Sequence, residues 1–449
     1  MGRLIWAVAL CFCGLCLAAP GQVLAAPAPG SVDQSFGKRG MVVEGGVLFP
    51  GNSPDAEDMA VGPGGEIFVL LSDRECLEGA CENKLLVRRY SAEGKLDEGF
   101  GVEGSSPAIV IRGNSTGLGF AGGRALASLE VGSDGEPVVA AVDGGDVTLF
   151  RLDHSGHLAP GFGGDGVVTT PFSGEESRPE LAILRDDKIV LATGSRGPEG
   201  RTSVVLARYL PNGVLDPDFG NGVPGSRGDG WISIPGGPPG GLGLSPSGGI
   251  VLAGSRCCGR KATKFAFFGR RSPQGRTQPP FSPASPWRRF KVGRNTWVNS
   301  VIALPRGRVY VVGEFRRGGF ALRLLPSGRL DRSFGKGGIA RYSYSRMGTS
   351  PAPAVADKKG RLYIPGVRWS NEEYVPNSAV LARFTWRGRP DRSWGNKPRG
   401  YLPLPGDISE VVSLGFQESG KLVVFGEDAF ECIRICYRPA RVLTRLNTR

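Results

Sequence analysis

Histidine is scarce: 449 residues hold two, His154 and His157, both in one DHSGH stretch. Beyond residue 26 no two cysteines stand at CxxC spacing, and those histidines are far from every cysteine, so zinc fits the chain poorly. Beyond residue 26 there is no long segment of helical period and no second extended apolar run. A helical domain and a membrane-spanning helix are therefore not expected there. No stretch interleaves aromatic and basic residues as a single-stranded nucleic-acid track would. The formal charge of +13 accordingly points to acidic glycans or other polyanions rather than to nucleic acid.

The first residues form a separate unit. Arg3 precedes an apolar run over 4–19, and Val23-Leu24-Ala25 has the small-residue pattern of a cleavage site. Residues 1–25 read as a secretory signal peptide and 26–449 as the exported protein, with a retained anchor as the alternative. Of nine cysteines, Cys11, Cys13 and Cys16 leave with that segment. The six that remain are an even number in an exported chain, which suggests disulfides. Cys76 with Cys81, and Cys432 with Cys436, are near enough to clip local loops. Cys257 and Cys258 would form a strained vicinal bridge or stay reduced. The expected product is a secreted or cell-surface monomer without a cofactor.

What is abundant is glycine, 71 residues, and it falls at recurring turns. The stretch GRLDRSFGKGG at 328 returns as GSVDQSFGKRG at 30, GKLDEGFGVEG at 94, GHLAPGFGGDG at 156 and GVLDPDFGNG at 213. A worn copy is GRTQPPFSP at 275, and GRPDRSWG starts at 388. The aromatic anchors are Phe36, Phe100, Phe162, Phe219, Phe281, Phe334 and Trp394. Spacing of this kind marks an array of one supersecondary unit. Between anchors lie three short apolar segments, in one unit ELAIL, KIVLATG and SVVLARYL, and a fourth follows each anchor. Short β-rich runs bounded by Gly, Asp and Pro read as strands. Four strands per unit repeated radially predict an all-β, single seven-bladed β-propeller. The chain ends after its seventh triplet, so the N-terminal strand at 41–43 should complete the last blade. Deleting 26–46 should then weaken the whole ring.

The LDxSFGxxG pattern, the period near 60 residues and the KIVLATG and VLARY segments resemble the delta-60 repeat family of secreted bacterial β-propellers. The resemblance covers essentially all of 26–449. It implies the fold and an exported location, and no reaction or catalytic residue.

Arg89, Arg151, Arg208, Arg270, Arg323, Arg383 and Arg445 share one place in the third strand. An Asp follows eight residues later at Asp97, Asp216, Asp331 and Asp391, is replaced by Ala159 and Gln278, and is supplied to Arg445 by Asp33. A guanidinium fits a carboxylate, so this set reads as structural. The connections between strands two and three, and between blades, vary in length and share one face. Variable loops on a rigid scaffold are where binding resides. Just past the second strand on that face stand Arg74, Arg196, Arg256 and Arg368, with Arg316 one place off and Trp369 beside them. These are the candidate contacts for an unidentified protein or an anionic glycan. The alternative is a metal-dependent hydrolase or lactonase at the central channel, where Asp58, Glu180, Asn299 and Glu410 would hold a hard cation such as Ca²⁺. A GxSxG match at 113–117, a GxGxxG match at 117–122, a sequon at 114–116 and the tripeptide Arg227-Gly228-Asp229 are short patterns without their structural context.

Overall fold

The computed structural model describes residues 27–44, 55–77, 80–111, 126–172, 174–197, 199–220, 230–256, 265–293, 295–315, 318–342, 347–349, 352–368, 378–395, 400–405, 408–428 and 440–449, with backbone alone at 74–77, 80–82, 175, 256 and 347–349. Among these residues the strands form seven antiparallel sheets, each ordered from the innermost strand outward. Residues 1–25, expected to be a signal peptide, lie outside the described residues, as do Cys257, Cys258, Cys432 and Cys436. No described helix is long and apolar enough to cross a membrane.

Blade one shows the pattern with Asp55–Val61, Ile67–Leu77, Ala80–Tyr90 and Ile109–Ile111. Blades two, four and five repeat it. In blades three and six the first strand is broken into two short segments that pair with the same second strand. First and second strands are joined by a tight turn that needs one residue at positive φ. Gly65, Gly135, Gly248, Gly307, Gly360 and Gly420 supply it, and in blade three Asp187 adopts φ 56° instead. Asp tolerates the left-handed region better than other side chains with a Cβ.

Blade seven consists of Ile408–Phe416, Leu422–Asp428, Arg441–Leu446 and, from the other end of the chain, Met41–Glu44. Met41 pairs with Thr444 and Glu44 with Arg441, so both ends share one sheet. The ring closure expected from the sequence is present.

The second and third strands are apolar on both faces because each blade is covered by a neighbour on either side. The buried apolar residues fall into seven clusters, one between each adjacent pair of blades. Each cluster takes in one anchor: Phe100, Phe162, Phe219, Phe281, Phe334, Trp394 and, at the closing seam, Phe36. The recurring aromatic is therefore the repeated contribution to inter-blade burial, which supplies most of the stabilisation.

Candidate functional site

The recurrent arginines hold the scaffold. Nε donates to the Asp eight residues on at 2.8 Å for Arg89–Asp97, 2.9 Å for Arg208–Asp216, 2.9 Å for Arg323–Asp331 and 2.8 Å for Arg383–Asp391. A second guanidinium nitrogen reaches a turn carbonyl of the following blade: Arg89 to His154 at 2.8 Å, Arg151 to Pro211 at 3.0 Å and Arg383 to Thr448 at 3.0 Å. Arg208 and Arg323 reach Pro273 and Trp386 in the same way. The anchor ring packs beneath its own arginine, 4.6 Å from the Arg383 guanidinium carbon to the Trp394 centroid. That ring also fills a gap left by a glycine of the next blade. A Cβ on Gly94, which has φ +82°, would stand 2.7 Å from Cζ of Phe36. The recurring Arg–Asp pairs and anchors are thus engaged within the ring, which leaves the loop face and the channel as candidate sites.

Two units depart from the pattern. Arg151, with Ala159 in place of Asp, turns to Glu136 at 2.8 Å and to Asp134. Arg270, with Gln278, donates to the Gly307 carbonyl at 2.6 Å, and its buried Nε has no hydrogen-bond partner.

The antiparallel order puts the ends of second strands, the starts of first strands and the variable connections on one face. Arg196 ends the second strand of blade three and Arg368 that of blade six, and both side chains are exposed. Blades three and six are not neighbours in the ring, so these two cations share a face and not a patch. Arg256 ends the second strand of blade four, and Arg74 lies within that of blade one, which runs on to Leu77; for both, backbone alone is described. Arg316 and Trp369 lie outside the described residues. The blade-one hairpin sets Cys76 opposite Cys81 in register.

The channel residues do come together. Asp58, Glu180, Asn299 and Glu410, from blades one, three, five and seven, line one cavity of about 250 Å³ in the loop-face half of the central channel. Glu57, Ser128 and Arg178 join them. Register shifts in the first strands of blades one, five and seven fall between Ala56 and Asp58, Val298 and Ser300, and Val411 and Ser413. Such bulges re-aim side chains out of the regular alternation. Ser128, Arg178 and Glu130 were not singled out from the sequence, because Ser128 and Glu130 sit on a regularly paired first strand and Arg178 lies in the break between the two segments of blade three's first strand, neither with a clear sequence mark. An acid inside the apolar run ASLEV was the one available signal for Glu130.

The cavity is electrostatically strained toward acid. Asp58 accepts hydrogen bonds from the Met59 amide at 2.8 Å and the Leu129 amide at 3.1 Å, and Arg178 stands 3.9 Å away. Burial still raises its carboxyl above the ordinary value. Glu180 is pushed up to about 7, chiefly by burial, with the charge of Asp58 adding and Arg178 opposing. Glu130 is pushed up to about 8, by burial first and then by the charge of Asp58. Among the described residues no three His, Cys, Asp or Glu side chains are grouped so as to hold a metal ion.

The histidines serve the turn. His154 Nε2 lies 2.9 Å from the Asp134 carbonyl oxygen, and exposed His157 bonds Ser155 through Nδ1 at 3.1 Å. The patterns at 113–117 and 117–122, the sequon at 114–116 and the tripeptide at 227–229 lie outside the described residues.

Residues 184–219 match a family described as a β-propeller domain of unknown function, DUF5122. No curated protein matches the chain. Among solved structures, the β-propeller domain of the Trilobed protease from Pyrococcus furiosus is 11% identical with a TM-score of 0.44, covering 90% of this chain and 95% of that one. The α-L-arabinanase of Penicillium chrysogenum is 12% identical with a TM-score of 0.41, covering 76% and 98%. A puromycin-hydrolysing peptidase of Mycobacterium tuberculosis is 11% identical with a TM-score of 0.45, covering 87% and 52%.

Proposed function

We propose that the protein is a secreted or cell-surface binding scaffold that engages an anionic glycan or other polyanion through its variable-loop face. The observation that carries this reading is the exposure of Arg196 and Arg368 at strand ends of that face, where neither has an ion-pair partner among the described residues. The recurring arginines, by contrast, are consumed in the scaffold. A polyanion spanning several blades suits cations spread around a ring, because it adds modest contacts along its length. The exported location and the delta-60 relationship belong to this same proposal, supported by the leader-like segment and the repeated motif. Binding of the protein to an array of sulfated and uronic-acid polysaccharides tests it. The double variant Arg196→Ala, Arg368→Ala should lose most of the salt-sensitive binding, and unchanged binding refutes the reading.

A second reading places hydrolysis at the central channel. It is favoured by one observation, the meeting of Asp58, Glu180, Asn299 and Glu410 at a single cavity. Calorimetric titration with Ca²⁺, followed by a lactone-hydrolysis assay, tests it. Absence of both heat and turnover removes it.

A further inference from the structure

We propose that the loop-face half of the central channel is a binding site for a small organic cation carrying a primary ammonium on an aliphatic stem, seated among Glu180, Asp58 and Ser128. The site is independent of the polyanion reading, which concerns the outer loops.

The chain carries a formal charge of +13, yet the described residues lining this cavity include Glu57, Asp58, Glu180 and Glu410 beside Arg178. Asp58 is fixed in place by two backbone amides, and Arg178 stands beside it with its side chain 45% exposed. Among the described residues nothing donates a hydrogen bond to the Glu180 carboxylate. The hydroxyl of Ser128, one blade away, is the sharper indication. Ser128 is 7% exposed, lines the cavity, and its Oγ has no hydrogen-bond partner. A buried hydroxyl without a partner is costly unless something completes it.

The three groups present acceptors. An ammonium has three donors and no acceptor, so it matches two carboxylates and a hydroxyl. The remaining wall includes Val298, Pro353 and Val412, which suit methylene groups. A bare divalent ion suits the place less well, since no three acidic side chains among the described residues are grouped to hold one. Burial has pushed Glu180 up to about 7, and a bound cation would draw that carboxyl back toward its ordinary value. Binding near neutral pH should therefore release protons. The charged groups facing Glu180 are Asp58, Glu130 and Arg178.

The test is isothermal calorimetry on the mature protein at neutral pH with two probes, the free diamine cadaverine and a capped Gly-Lys-Gly tripeptide. These distinguish a metabolite amine from a lysine side chain. At least one should bind, with proton release seen as a heat that depends on the ionisation enthalpy of the buffer. Glu180→Gln should weaken binding tenfold or more, and Ser128→Ala several-fold. Arg178→Gln removes the competing guanidinium and should tighten binding, a gain that misfolding cannot produce. The proposal is overturned if neither amine binds at about 10 mM, if Glu180→Gln binds as the unaltered protein does, or if uncharged 1,5-pentanediol binds equally well. Loss of polyanion binding in the Arg196, Arg368 variant leaves these outcomes untouched, so the two readings fail separately.

Discussion

Arg445 donates from Nε to Oδ2 of Asp33 at 2.7 Å across 412 residues of chain. The same carboxylate accepts from Lys421 at 2.6 Å, and Arg445 also reaches the Ala92 carbonyl of blade one at 2.6 Å. One side chain therefore ties the last blade to both the N-terminal strand and the first blade. Removing a carboxylate between two cations leaves buried positive charge without its partner, which costs about 3–5 kcal/mol. Asp33→Asn should lower the thermal midpoint of the whole protein in a single cooperative transition by calorimetry. Deleting residues 27–44 should do more, since it also strips Phe36 and Val42 from the closing cluster. A separate early transition confined to one blade would contradict this account.

Blade four offers the opposite experiment. Gln278 occupies the turn position held elsewhere by Asp, with its amide 3.4 Å from the Arg270 carbonyl oxygen. Arg270 keeps a buried Nε without a partner there. Gln278→Asp should restore the pair and stabilise the protein by about 1.5–3 kcal/mol, the range for a hydrogen bond to a charged group. Ala159→Asp should gain little, because Arg151 already bonds Glu136 and Asp134. Denaturant midpoints of the two variants decide the matter, and equal shifts would count against the explanation.

The acid limb of stability should follow the same carboxylates. Burial alone would raise Asp33, Asp216, Asp331 and Asp391, but hydrogen bonds and the paired arginines outweigh it and hold all four below the usual range. A group with a lowered folded value contributes stability that is full above its unfolded value, about 3.9, and is lost as pH falls through the folded one. Thermal midpoints should therefore drop steeply below about pH 4. Asp216→Asn, Asp391→Asn should be less stable than the unaltered protein at neutral pH and should lose less on acidification.

The fold was legible because the anchor, the Asp and the Arg recur: an anchor packs into each of the seven inter-blade clusters, and the Arg–Asp pair forms in five of the seven units. Phe36 and Asp33 before the first blade already announced a partner at the far end. The channel was half legible. Asp58, Glu180, Asn299 and Glu410 stood out as polar residues at first-strand starts. Ser128 did not, since it sits on a regularly paired strand with no mark of its own, and Arg178 did not, since it lies in the break of the first strand of blade three, which no local pattern encodes. The loop arginines share a face as expected, but alignment along a repeat cannot say whether residues on different blades approach one another.

Glu130 gives the channel a pH dependence of opposite sign. Its carboxyl is pushed up to about 8 by burial, then by the charges of Asp58 and Glu180, against one backbone hydrogen bond from Val131. A group with a raised folded value contributes stability that is present below its unfolded value, about 4.3, and is lost as pH rises through the folded one. The unaltered protein should therefore lose stability steadily between about pH 5 and pH 8. Glu130→Gln keeps the shape of the side chain and cannot ionise, so it should be more thermostable than the parent near pH 8, by about 2 °C or more. Near pH 5 the two should coincide. Differential scanning calorimetry across that range checks the claim, and parallel curves for the two proteins would mean that water in the channel already solvates the Glu130 charge.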